Sequence, residues 1–144
     1  MATRRQFRIS PIDLKPNKAV GVKLPLGGTP MFELSYTTEE QSISNLKNLL
    51  LTQKGERPFQ PLFGTSIYSI LFEQLTSDVE TSLKESLRDD ILFWLPYINI
   101  ADLKVIGNAD EGTVMISLVV RVSDIGANTT ITLNVTNQGN ISIV

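Results

Sequence analysis

Residues 77–97 read SDVETSLKESLRDDILFWLPY, and the fold turns on this stretch. Val79, Leu83, Leu87, Ile91 and Leu95 recur at a spacing of four, which stacks side chains on one face of an α-helix. Leu92 and Trp94 widen that face. Ser77 with Glu80 three residues on has the form of a capping box, in which two side chains satisfy backbone N–H groups at a helix start. Pro96 has no N–H to continue the ladder and ends the helix. Strand-like runs follow at Ile98–Ile106, Thr113–Ser123, Thr129–Thr136 and Ile141–Val144, separated by turn groups that include Asp110-Glu111-Gly112 and Asn137-Gln138-Gly139-Asn140. Such short connections favour antiparallel pairing of consecutive strands.

Working back toward the start, Thr37 and Glu40 form a second capping box ahead of Ile43, Leu46, Leu49 and Leu50, which predicts a helix over Thr38–Thr52. Gly55 ends it, and Arg57-Pro58-Phe59-Gln60-Pro61 prevents its resumption, because each proline also drives the preceding residue out of the helical region. After Gly64, either Thr65 or Ser66 can cap a helix with Ile67, Ile70, Leu71 and Leu75 as its buried stripe, ending near Leu75. Met31–Tyr36 alternates weakly and predicts a short strand. Residues 1–30 hold Pro11, Pro16, Pro25 and Pro30 with Gly21, Gly27 and Gly28, a density that favours an extended path. The expected architecture is α+β: about three helices packed on a C-terminal antiparallel sheet, with residues 1–30 as an extended basic arm and 31–144 as one domain.

The 144 residues suffice for one core, and 42% hydrophobic with 19% charged residues is ordinary for a globular chain. No run of about 18 apolar residues is present to cross a bilayer, and the basic start is not followed by the apolar region of a secretory signal. A soluble, cytoplasmically made chain without membrane partners is expected. The net charge of −2 conceals an asymmetry. Residues 1–30 carry six Lys/Arg against Asp13 alone, a balance of +5, which leaves −7 on the remainder. A basic arm suits an acidic protein neighbour; with Phe7 the one aromatic residue among its charges, nucleic acid is not expected as a partner.

Cysteine and histidine are absent, which removes thiol nucleophiles, the usual zinc and haem ligands and the commonest general base. Carboxylates are the remaining catalytic candidates: Glu73, Asp78, Glu80, Glu85, Asp89 and Asp90, in the manner of a glycosidase pair. Their placement on the polar side of the Leu83 and Leu87 row reads more simply as a solvated helix face, with Glu80 as a cap. Asp110-Glu111-Gly112 lacks the spaced acids of a calcium loop, and Leu26-Gly27-Gly28-Thr29 runs into Pro30 rather than a helix that could hold phosphate. No cofactor, metal or catalytic residue is expected. What stands out instead is Lys54-Gly55-Glu56-Arg57-Pro58-Phe59-Gln60-Pro61-Leu62-Phe63-Gly64. Two prolines fix its backbone, two phenylalanines offer burial, and Arg57 offers a planar fork for carboxylates or carbonyls. It reads either as a pre-formed docking surface or as a packed connector between helices.

At this motif the sequence resembles the small baseplate wedge proteins of contractile-tailed phages, a family shared with type VI secretion baseplates and sometimes labelled lysozyme-like. The resemblance runs from Ser42-Ile43 through Asn48-Leu49-Leu50-Leu51-Thr52-Gln53-Lys54-Gly55-Glu56-Arg57-Pro58, Pro61-Leu62-Phe63-Gly64 and Ile70-Leu71-Phe72-Glu73, then loosely along the third helix into Ile98–Val105, about half of the chain. It implies a non-enzymatic virion component that joins the wedge to the tail sheath and starts sheath polymerisation. The expected partners are other wedge subunits, the sheath protein and the tail tube, in a hetero-oligomeric assembly. A sheet edge would then accept an extended strand, flanked by Ile131, Leu133 and Val135 or by Ile141 and Ile143. Where the family usually carries Glu-Pro-Arg after the third helix, this chain has Leu95, Pro96 and Tyr97. The turn proline is kept and the charged anchor is lost, so the contact becomes apolar there or moves to Arg57 or to the arm. The partner-binding residues expected on this reading are Gly55, Arg57, Pro58, Pro61, Phe63, Gly64, Leu95, Pro96 and Tyr97. A peptidoglycan-cleaving glycosidase and a tube or hub adaptor without sheath contact are the competing readings.

Overall fold

The row at spacing four becomes the inner face of an 18-residue helix, Ser77–Trp94, on which Leu83, Leu87 and Ile91 are buried. A computed structural model describes residues 13–15, 17–24, 26–27, 29–70, 76–108, 113–122, 128–136 and 141–143, with Ile70 and 141–143 as backbone. Along the chain its elements are β1 (Gly21–Val22), β2 (Leu34–Ser35), α1 (Thr38–Leu51), α2 (Ile67–Ile70), α3 (Ser77–Trp94), β3 (Asn99–Asn108), β4 (Thr113–Arg121), β5 (Thr129–Thr136) and β6 (Ile141–Ile143). The fold is mixed α+β, helices before the main sheet, as the pattern predicts. Residues 71–75, including Glu73 and the second half of the expected second helix, lie outside the described residues, as do residues 1–12 of the arm and the turn groups at 110–112 and 137–140.

The main sheet is an antiparallel meander in the order β3-β4-β5-β6. Its register aligns Leu103, Leu118 and Ile131 in one row and Val105, Ile116 and Leu133 in the next. Because side chains alternate across a pleated strand, these rows fall on one face, and Leu103, Ile116, Leu118, Ile131 and Leu133 are almost fully buried there. The core continues into Leu46, Leu49 and Leu50 of α1, Ile67 of α2, Leu83, Leu87 and Ile91 of α3, and Ile98. Each such side chain contributes about 1.5–3 kcal/mol by leaving water. The opposite face carries Lys104, Ser117 and Thr132 in register. The edges of the sheet are β3 and β6, so Ile131, Leu133 and Val135 lie on an interior strand and point into the core rather than flank an edge.

Three local expectations are corrected. Thr76, not Ser77, caps α3, its hydroxyl accepting the Val79 N–H, and the carboxylate of Glu80 reaches forward to accept the Gly107 N–H of β3 at 3.1 Å. Leu92 does not widen the buried face of α3 and is exposed, whereas Trp94 packs against the core. Of Met31–Tyr36 only Leu34–Ser35 forms a strand, paired with Gly21–Val22. At α1 the expected cap holds: the Thr37 hydroxyl accepts the Glu40 N–H at 3.2 Å.

Part of the sequence before residue 31 packs on α1. Asp13 accepts from both the N–H and the hydroxyl of Thr38 at 2.8 Å, placing negative charge at the positive end of the helix. Lys23 bridges Glu33 and Glu40, and Lys47 donates to the Leu24 carbonyl. These contacts cross the boundary expected at residues 30 and 31.

Candidate partner-binding surface

The proline loop is closed at its base by the last turn of α1. Thr65 N–H bonds to the Thr52 carbonyl at 2.9 Å, and the Thr65 hydroxyl reaches the Leu50 carbonyl. Gly64 makes this closure possible: its φ of +119° suits glycine, and a side chain there would run into the Thr52 carbonyl. Gly55, with φ of +91°, turns the chain leaving α1, and its N–H bonds to the Pro61 carbonyl at 2.8 Å. Two further turns, Gln60 N–H to Arg57 and Phe63 N–H to Gln60, account for the backbone between the prolines. The loop is therefore held by its own main chain.

The side chains divide into those facing inward and those facing out. Arg57 lies with its guanidinium 4.2 Å from the Phe63 ring centroid and donates to Asn48 Oδ1 at 3.1 Å. Phe63 meets Trp94 edge-on at 5.2 Å between centroids, and Trp94 meets Phe93 likewise at 5.1 Å. Lys54 pairs with Asp90 Oδ1 at 2.7 Å, while Asp90 Oδ2 is shielded from solvent with no hydrogen-bond partner among the described residues. The loop is thus fastened to α1 through Asn48 and to the last turns of α3 through Trp94 and Asp90. Tyr68 donates to the Leu51 carbonyl beneath it, and burial, with Glu56 nearby, raises its phenol above the ordinary range.

Of the nine residues expected from the sequence, Gly55, Pro58 and Pro61 are exposed on the loop, and Arg57 and Phe63 are half-buried against α1 and α3. Gly64 is buried under the loop base. Leu95 is 7% exposed and belongs to the core, so Pro96 and Tyr97 carry the surface at the end of α3. Tyr97 is tied to α1 by a hydrogen bond from Asn45 to its hydroxyl.

The largest exposed apolar groups here are others: Phe59 at 99%, Leu62 at 75%, Phe93 at 74% and Leu92 at 49%. Phe59 and Leu62 were visible in the proline stretch, and Leu92 and Phe93 sit off the spacing-four row of α3. Position off the row does not by itself decide exposure, since Trp94, also off it, packs on the core. Among the carboxylates, Glu80 serves Gly107 and Asp90 serves Lys54, while Asp78, Glu85 and Asp89 are exposed along α3. No group of three or more acidic residues able to hold a metal occurs among the described residues.

Comparison with known proteins agrees with this layout. The family model described as baseplate wedge protein gp25 matches residues 37–126, more than half of the chain and the whole span from the cap of α1 past β4. The chain is 29% identical over 93 residues to the baseplate wedge protein gp25 of Enterobacteria phage T4, covering 64% of this chain and 70% of that one. Three solved structures share the fold. A putative tail lysozyme from Geobacter sulfurreducens has a TM-score of 0.60 at 21% identity, over 68% of this chain and 89% of that one. A chain of the anti-feeding prophage baseplate scores 0.58 at 19%, covering 70% and 81%. A chain of the type VI secretion system baseplate complex scores 0.53 at 17%, covering 72% and 91%. The chain belongs to the baseplate wedge protein gp25 family.

Proposed function

We propose that this protein is a structural component of a phage tail baseplate that joins the wedge to the tail sheath and templates sheath polymerisation, working by interface geometry and not by turnover. The observation that carries the wedge contact is the self-bonded loop at 52–65, which holds Phe59 and Leu62 in solvent and packs Phe63 against Trp94, the neighbour of exposed Leu92 and Phe93 on α3. Exposed aromatic and aliphatic anchors on a rigid base lose little entropy when a partner covers them. The partners on this reading are other wedge subunits on the loop side, the sheath protein at the sheet, and the tail tube as a further neighbour. Gly55 and Gly64 shape the loop; Arg57, Pro58, Pro61 and Phe63 present it; Leu95 sets the corner at which Pro96 and Tyr97 meet the partner.

The test is affinity purification of the tagged chain from the cells that produce it, followed by mass spectrometry. Recovery of wedge and sheath subunits with the wild type, and loss of the wedge subunits with the double variant Phe59→Ser, Phe93→Ser, is the expected result. Wedge subunits without sheath would leave the adaptor reading. Recovery of neither, together with peptidoglycan cleavage by the purified chain, would replace the proposal with the glycosidase.

A further inference from the structure

An open sheet edge is a row of unpaired N–H and C=O groups on which another strand can add, and β3 is one of the two edges of the main sheet. Leu103, Val105 and Gly107 have the same parity along β3. The N–H groups of Leu103 and Gly107 do not serve β4: the first is bonded to Asp102 Oδ1 at 2.9 Å and the second to Glu80 Oε1 at 3.1 Å. In an antiparallel ladder residues alternate between facing the partner and facing away, so all three of these positions point to the open side. Two of the three outward donors are thus occupied by carboxylates. A bulge at Ala101 shifts the register between Ile100 and Asp102, and Asp102 pairs with Lys104 at 3.3 Å, setting both charges beside the same stretch. Lys84 of α3 shares a cleft of about 280 Å³ with Glu80, Lys104 and Val105, which places the first half of the helix along this edge.

We infer that Glu80 and Asp102 close the β3 edge against strand addition, and in particular against antiparallel pairing with the β3 of a second copy. With Leu103 and Gly107 taken, Val105 is left between them, and an incoming strand would have to displace a carboxylate on either side of it to gain a second pair of bonds. Glu80 does this from α3, 27 residues away, so the guard exists only when the helix is docked. The same carboxylate that looks like a capping residue or a catalytic candidate in the sequence is a strand cap.

The experiment compares the full-length wild type with Glu80→Gln, Glu80→Ala and the double variant Glu80→Ala, Asp102→Ala, by sedimentation velocity over a range of concentrations and by amide hydrogen exchange. Circular dichroism establishes that each variant keeps the native fold. Glu80→Gln retains an acceptor oxygen and should behave as the wild type. In Glu80→Ala the Gly107 amide should exchange roughly three- to tenfold faster, the loss of one hydrogen bond of ordinary strength, and in the double variant Leu103 should follow. The double variant should also shift toward a dimer as concentration rises, where the wild type does not. Unchanged exchange at Gly107 in Glu80→Ala, or sedimentation of a natively folded double variant identical to the wild type, overturns the inference.

Discussion

Gly64 occupies its position because of two independent constraints, a positive φ and the carbonyl of Thr52 where a Cβ would stand. Substitution by alanine meets both, and strain of this kind costs about 1–3 kcal/mol. For a chain of this length Gly64→Ala should lower the melting temperature by roughly 2–12 °C, a range set by about 2–4 °C per kcal/mol. An unchanged melting temperature would mean that the loop base can move aside. Helix capping gives a second test at this scale. Thr76→Ala removes the acceptor for the Val79 N–H and should cost about 0.5–1 kcal/mol, whereas Ser77→Ala should cost little. Denaturant titration of the two variants distinguishes them, and the reverse order would restore Ser77 as the cap.

At the scale of elements, the corner where β2 runs into α1 carries a charge network whose effect on stability has a definite sign. The Tyr36 N–H first, and then Lys23, hold the Glu40 carboxyl below its ordinary value of 4.5. A carboxyl that titrates lower in the folded chain than in the unfolded one adds stability above that value and loses it as pH falls through the folded-state value. Lys23 is raised from 10.5, chiefly by Glu33 and then Glu40, so the pair stays charged across the neutral range. Thermal unfolding of the wild type should therefore weaken below about pH 4.5 more steeply than that of Glu40→Gln. Parallel curves would remove Glu40 from the account. The effect should be small, because the pair is partly exposed and solvent screens it. Arg57 belongs to the same scale. It packs on Phe63 and Asn48, so Arg57→Ala should cost about 1 kcal/mol through the lost ring contact and hydrogen bond. Calorimetry of the variant measures that cost. A loss several times larger would make the residue chiefly a packed connector between α1 and α3.

For the whole molecule, among the described residues, the buried cluster runs from Leu46 to Val135, with no member before residue 31. Deleting residues 1–30 should accordingly leave the sheet and the α1 and α3 packing in place, as read by circular dichroism. It removes β1, the Asp13 contact at the start of α1 and the Lys23 bridges, so a modest fall in melting temperature should accompany it. Loss of cooperative unfolding would show instead that these segments are part of the core. Incorporation into baseplates should weaken on deletion, since the segment carries +5 of the charge of an otherwise acidic chain.

Local patterns in the chain set α1, α3 and the strands of the main sheet, in that order. Periodicity at Leu83, Leu87 and Ile91 set α3, alternation set the three long strands, and Pro96 set the boundary between helix and sheet, because each of these is a local property of the chain. The sequence by itself also determined that the proline stretch would be the rigid feature, since proline and glycine act on their own backbone. The tertiary structure decided what local rules do not contain. It buried Leu95 and exposed Leu92 and Phe93, a choice that depends on how α3 rotates against the sheet. It turned Arg57 inward onto Phe63. It paired Gly21–Val22 with Leu34–Ser35, across the boundary that composition suggests at residues 30 and 31. It also took Glu80 away from the helix cap to serve Gly107, because a backbone donor at a sheet edge needs an acceptor and packing α3 along β3 brought that carboxylate within reach.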